Sequence, residues 1–122
     1  MKTKSCKAKG RKLQGYTRDL IYEYTGIMCK TRIMGESGDD VYLPSADSPL
    51  YIECKNREQL SIWKWLDEIR SKTTKCPVLI VKKNHKEPVA IIPLIALTAL
   101  GFFDILKESE VNNEETKTAQ TI

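Results

Sequence analysis

The chain of 122 residues has a single histidine, His85. It sits in the polar stretch Lys83-Asn84-His85-Lys86, which reads as a solvated turn rather than a site. Cysteine clustering is also missing. Cys6, Cys29, Cys54 and Cys76 are spread evenly and no pair has C-x-x-C spacing, which argues against a zinc centre. No apolar run is long enough to span a bilayer: the longest, Val89 to Leu100, is broken by Pro93 and falls short of the roughly 20 residues required. The basic N-terminal stretch has no apolar segment behind it, so no secretory signal is visible. Reduced thiols and a cytoplasmic location are therefore expected, with no membrane partner. No internal repeat is apparent.

What the chain does have is charge, unevenly placed. Hydrophobic residues make up 41% and charged residues 30%, the balance of a globular protein with one core. The formal net charge is +4. Residues 1–32 hold nine Lys/Arg (Lys2, Lys4, Lys7, Lys9, Arg11, Lys12, Arg18, Lys30, Arg32) against Asp19 and Glu23. From Lys107 onward two lysines face Glu108, Glu110, Glu114 and Glu115. A basic N-terminal segment suits a polyanion, nucleic acid above all, although a solubilising charge run has the same composition.

Residues 1–9 are basic and unpatterned, and read as a flexible arm. From Arg11 to Tyr24, Leu13, Thr17, Leu20, Ile21 and Tyr24 recur at helical spacing, and Thr25-Gly26 closes that helix. Strands are expected over 27–34, 40–43 and 50–55, separated by the turn Gly35–Gly38 and the loop Pro44–Pro49. Asn56 followed by Gln59 resembles a capping box, predicting a helix over 57–71 with Ile62, Trp65, Leu66 and Ile69 on one face; Trp63 lies off it. Pro77–Lys82 and Val89–Ile92 suit a hairpin, and a last helix is expected from Pro93 to Lys107. Its residues Ile95, Leu97, Leu100, Phe102, Phe103, Ile105 and Leu106 are apolar on more than one side, as at a dimer contact. The expected fold is α/β, a central mixed sheet flanked by helices in the order α-β-β-β-α-β-β-α. One domain would cover 1–107, with a disordered acidic tail over 108–122.

The chemistry-bearing stretch is Gly35-Glu36-Ser37-Gly38-Asp39-Asp40-Val41 and then Tyr51-Ile52-Glu53-Cys54-Lys55. Residues i and i+2 of a strand share a face, so Glu53 and Lys55 point the same way. Cys54 points the other way, as a small core residue. A neighbouring strand could bring Asp40 alongside. Two carboxylates on one surface repel unless a cation lies between them. With a lysine beside them they form a site suited to metal-assisted hydrolysis of a phosphodiester. The acid-x-Lys spacing alone is cheap, since Glu115-Thr116-Lys117 repeats it, and Glu53 with Lys55 could equally be a surface pair.

Together, Ser37-Gly38-Asp39-Asp40-Val41 and Ile52-Glu53-Cys54-Lys55 resemble the PD-(D/E)XK nuclease superfamily. Lys9-Gly10-Arg11-Lys12-Leu13-Gln14 looks like the opening helix of its small archaeal and phage Holliday-junction resolvases. The likeness covers roughly residues 9 to 92 and implies a restriction-endonuclease-like core. It implies Mg²⁺, with Mn²⁺ as a substitute, held by Asp40, Glu53 and the backbone carbonyl of Cys54. Lys55 would orient or activate the attacking water. Asp39 stands where the motif has proline; Asp40 is the preferred ligand because it directly precedes Val41, leaving Asp39 to face away. Gln14 stands where the resolvases place a helix glutamate, with Asp19 and Glu23 as fallback acids, and Ser37 where they place a loop serine. Gln59 matches a polar position near the site in some relatives. Lys4, Lys7, Lys9, Arg11, Lys12, Arg18, Lys30 and Arg32 would meet DNA phosphates. The resemblance implies a homodimeric endonuclease on branched DNA, in a host cytoplasm if virus-encoded. The alternatives are a nuclease for duplex, nicked or flapped DNA, or a DNA-binding module with a decayed site.

Overall fold

The computed structural model describes residues 2–33, 36–45, 48–99, 101 and 104–110, with side chains from residue 7 onward. Helix α1 spans Lys2–Thr25, followed by strands β1 (Lys30–Thr31), β2 (Val41–Tyr42) and β3 (Leu50–Asn56). Helix α2 (Ile62–Lys72) leads to β4 (Cys76–Lys82) and β5 (Val89–Ile91). The five strands form one mixed sheet in the order β1-β2-β3-β4-β5. β3 and β4 are parallel, joined by the α2 crossover, and the other neighbours are antiparallel. The fold is α/β with helices on both sheet faces.

The alternation along β3 and β4 explains how both helices find a face. Ile52 and Cys54 turn toward α1 and share a buried cluster with Leu13, Cys29 and Val41, against which Val78 and Ile80 pack. Leu79 and Val81 turn the other way and bury Leu66 of α2, with Ile62 and Trp65 beside them. Leu79 and Val41 are fully enclosed, one on each side of the sheet.

Contacts divide the chain into residues 1–92 and 93–122. In the second unit a 3₁₀ turn covers Leu94–Thr98, and residues 104–110 are helical.

Several expected boundaries moved. The N-terminal arm is helical from Lys2. Its residues are fair helix formers, and extending a helix already docked at Leu13 and Thr17 avoids the nucleation cost. The first strand narrows from 27–34 to Lys30–Thr31, with Ile27 and Met28 exposed ahead of it. Asn56 caps no helix: it stays in β3, and Arg57 N–H donates to Lys82 O at 3.0 Å, so the chain keeps following β4. Helix α2 therefore starts five residues late, at Ile62, and Gln59 lies exposed in the connecting bend. The last helix is not continuous. Gly101 has φ 77°, a left-handed conformation that breaks the run between the 3₁₀ turn and 104–110. Ile95, Ile105 and Leu106 are exposed, while Leu100, Phe102 and Phe103 lie outside the described residues. Residues 108–110, expected as disordered tail, are helical, and residues 111–122 lie outside the described residues.

Candidate active site

Asp40 enters the site through its backbone. Its N–H donates to Ile52 O at 2.8 Å, and its carbonyl accepts from Arg32 N–H at 3.1 Å. The residue is thus laced between the chain ahead of β2, β3 and the end of β1. Its carboxylate then crosses to β3, where Oδ2 accepts from Cys54 N–H at 2.8 Å. Glu53 is the preceding residue on β3, close enough for the Asp40 charge to act on its carboxyl. Lys55, two residues on and on the same face, acts electrostatically on both acids.

These neighbours set the charge state. Burial pushes the Asp40 carboxyl up; the Cys54 N–H and the Lys55 charge hold it back. Glu53 is pushed up to about 7, first by burial and then by the Asp40 charge, against the pull of Lys55 and Lys72. Two like charges this close and half-buried favour keeping a proton on Glu53, even against the two lysines. Burial pushes the Cys54 thiol up to about 12, so it stays protonated at neutral pH, against Thr17 Oγ1 at 3.8 Å. Its side chain is core, as expected.

The loop that delivers Asp40 is clamped by Arg32. The guanidinium donates to Asp39 O at 3.0 Å, pairs with Asp39 Oδ1 at 3.4 Å and with Glu36 at 3.9 Å, and stacks 4.2 Å over the Tyr42 ring. Gly38 makes the clamp possible: its φ is 120°, and a Cβ there would run into that guanidinium. Asp39 therefore faces Arg32, with a side chain only 13% exposed, rather than open solvent.

On the other side of Glu53 lies a cleft lined by Glu53, Lys55, Trp65, Glu68, Ile69 and Lys72. Lys55 Nζ sits 5.5 Å from the Trp65 ring centroid, a cation–π contact that restrains the ammonium beside the acids. Trp65 is half-buried and touches the site; Trp63 is 78% exposed.

The structure thus gathers Asp40, Glu53 and Lys55. Among the described residues no hydrogen bond links Gln14 or Ser37 to them. Gln14 follows Leu13 on α1 and is half-buried, with no hydrogen bond to the acids among the described residues. Ser37 is exposed in the clamped loop, and Asp19 pairs with Arg18 at 3.0 Å. Among the described residues no three His, Cys, Asp or Glu side chains cluster into a group that could hold a metal ion. Of the basic residues, Lys7, Arg11, Lys12 and Lys30 are exposed, Lys9 Nζ donates to Asn84 Oδ1 at 2.8 Å, and the Lys4 side chain lies outside the description. Arg32 is engaged in the clamp. Sequence reasoning missed that clamp and missed Lys72, although Trp65, Ile69 and Lys72 fall at i, i+4 and i+7 of one helix face. Among the described residues no helix is long and apolar enough to cross a membrane.

Comparison with protein-family models, curated proteins and solved structures finds no match.

Proposed function

We propose that this protein is a Mg²⁺-dependent endonuclease of the PD-(D/E)XK type that cuts branched DNA, most specifically four-way junctions. The observation that carries the reading is Asp40 reaching across to the Cys54 N–H at 2.8 Å, which sets its carboxylate beside Glu53 within the field of Lys55. The run α1-β1-β2-β3-α2-β4 also supports it, with one acid just ahead of β2 and the other on β3, as the resemblance implies.

The donor set suits a hard cation. Both acids are raised by burial, and the Asp40 charge raises Glu53 further; Mg²⁺ prefers hard oxygen ligands while keeping several waters. Asp40, Glu53 and the Cys54 carbonyl would hold the ion; bound, it would acidify a coordinated water and offset charge on the phosphate. The chain's own contributions are positional. The Cys54 N–H and the Arg32 clamp fix Asp40. Lys55, restrained by Trp65, presents an ammonium to a phosphate oxygen or to the attacking water. The proton that the raised Glu53 retains would be released on binding a cation. Hydrolysis then adds water across one P–O bond.

The exposed basic residues of α1 would hold DNA through phosphates, without reading sequence. Because α1 is helical from Lys2, it offers a stiff surface about 36 Å long rather than a flexible arm. Two such chains related by a twofold axis would deliver the paired cuts that a symmetric junction needs.

The test incubates the protein with Mg²⁺ and either a synthetic four-way junction or a linear duplex of the same sequence. Paired symmetric cuts in the junction alone support the proposal. Equal cutting of both substrates replaces it with a general nuclease. Binding without cutting replaces it with a non-catalytic DNA-binding module.

A further inference from the structure

Lys72 ends α2. A lysine there has an ordinary explanation, since a cation at a helix C-terminus is favoured by the helix dipole. Arg70, in the same last turn and exposed as Lys72 is, satisfies that explanation equally well. Lys72 differs in where the helix register sends it. Trp65, Ile69 and Lys72 succeed one another along the stripe of α2 that faces the sheet, and all three line the cleft beside Glu53 and Lys55. Among the described residues neither Lys55 nor Lys72 takes part in an ion pair. Two ammonium groups therefore flank one carboxylate from two elements, the strand and the crossover helix. Trp65 closes the cleft at Lys55, 5.5 Å away. The cleft volume is about 30 Å³, room for about one or two water molecules or the oxygens of an entering anion.

We propose that Lys72 and Lys55 together form a phosphate seat beside the acid pair, with Lys72 gripping a non-bridging oxygen of the DNA phosphate at the cleavage point. The inference rests on the nuclease reading and extends it to a residue on α2. Glu53 and Asp40 hold negative charge at one wall. An incoming phosphate would be repelled by them without cations opposite, and one lysine tied to an aromatic ring offers a single donor group. Lys72 supplies the second from the helix side, so the anion is held between elements rather than by one strand.

The experiment uses the full chain, Mg²⁺ and a labelled four-way junction under single-turnover conditions. It compares wild type with Lys72→Gln, Lys72→Arg and Lys64→Gln, the last on the exposed part of α2. Junction affinity is measured in Ca²⁺, and the rise in Tm on adding Mg²⁺ without DNA is recorded for each. Loss of one preorganised donor to the phosphate predicts cutting about 10–100-fold slower in Lys72→Gln. Junction affinity should stay within about twofold of wild type, because one phosphate contact is a small part of the footprint. The Mg²⁺ response should be unchanged, Lys72→Arg should regain most of the rate, and Lys64→Gln should match wild type. Wild-type cutting by Lys72→Gln would overturn the inference and leave the nuclease reading standing. An equal loss in Lys72→Arg, together with a lowered Tm, would make Lys72 structural and also overturn it. If the wild-type chain cut no DNA with Mg²⁺ or Mn²⁺, both would fall together.

Discussion

Replacing Glu53 by Gln should make the protein more stable at alkaline pH and flatten its stability profile. In the folded chain Glu53 titrates at about 7 instead of the ordinary 4.5. Between those values the folded state holds a proton that the unfolded chain has released. Its stabilising contribution is therefore complete below about pH 4.5 and is lost as pH rises through 7. The raised Asp40 carboxyl acts in the same direction at lower pH. An upward move of this size corresponds to ~3 kcal/mol at most. Glu53 is half-buried, and solvent screening brings the effect to about 1–2 kcal/mol. For a domain of this size that is a fall in Tm of ~4–8 °C between pH 5 and pH 8. Scanning calorimetry of wild type and Glu53→Gln across that range isolates the contribution from all other carboxyls. Added Mg²⁺ at about ten times its Kd should return ~1.4 kcal/mol to wild type at pH 8 and nothing to the variant. A Glu53→Gln profile as steep as the wild-type one, or a wild-type Tm that rises from pH 5 to pH 8, would refute the reasoning.

Gly10 lies inside α1 with open space where a Cβ would stand, so Gly10→Ala should add ~0.5–1 kcal/mol, seen as a higher urea midpoint at unchanged slope. Gly38→Ala should do the reverse, because the new methyl displaces Arg32 and releases the loop that carries Asp40; Mg²⁺ affinity by thermal shift should drop about tenfold, the effect of losing ~1.4 kcal/mol of positioning. Changing Lys7, Arg11 and Lys12 to Gln together should lower the slope of log affinity for junction DNA against log salt by about 2–3, while leaving the single-turnover cutting rate at saturation unchanged.

The strand-based part of the site was legible because strand periodicity is rigid. Once Leu50–Lys55 is a strand, Glu53 and Lys55 must share a face and Cys54 must take the other. The helix faces were legible in part: Leu13, Thr17, Leu66 and Ile69 are buried where the spacing put them, whereas Leu20 and Tyr24 of the first helix are exposed. What the sequence hid were contacts between distant segments. The Asn56–Gln59 pattern has sound local chemistry for a helix start. The 3.0 Å bond from Arg57 to Lys82 and the 2.8 Å bond from Asn84 N–H to Glu58 outbid it, and both require β4 and its turn to be in place. Arg32 looked like one more phosphate-binding cation, and only the turn at Gly38 shows that it folds back on Asp39. Gln14 sits at the right chain position for the resemblance, yet its neighbour Leu13 anchors α1 on the face carrying Cys54, opposite Glu53 and Lys55.

The central claim is that Asp40 and Glu53 together bind one divalent cation, and that Glu53, pushed up to about 7, gives up its proton as they do. Calorimetric titration with Mg²⁺ near pH 7, repeated in buffers of different ionisation enthalpy, measures this directly. The account predicts binding to the wild-type chain with release of about half a proton per ion, and loss of binding in both Asp40→Asn and Glu53→Gln. Equal Mg²⁺ affinity in wild type and either variant, or binding that releases no proton, would contradict it.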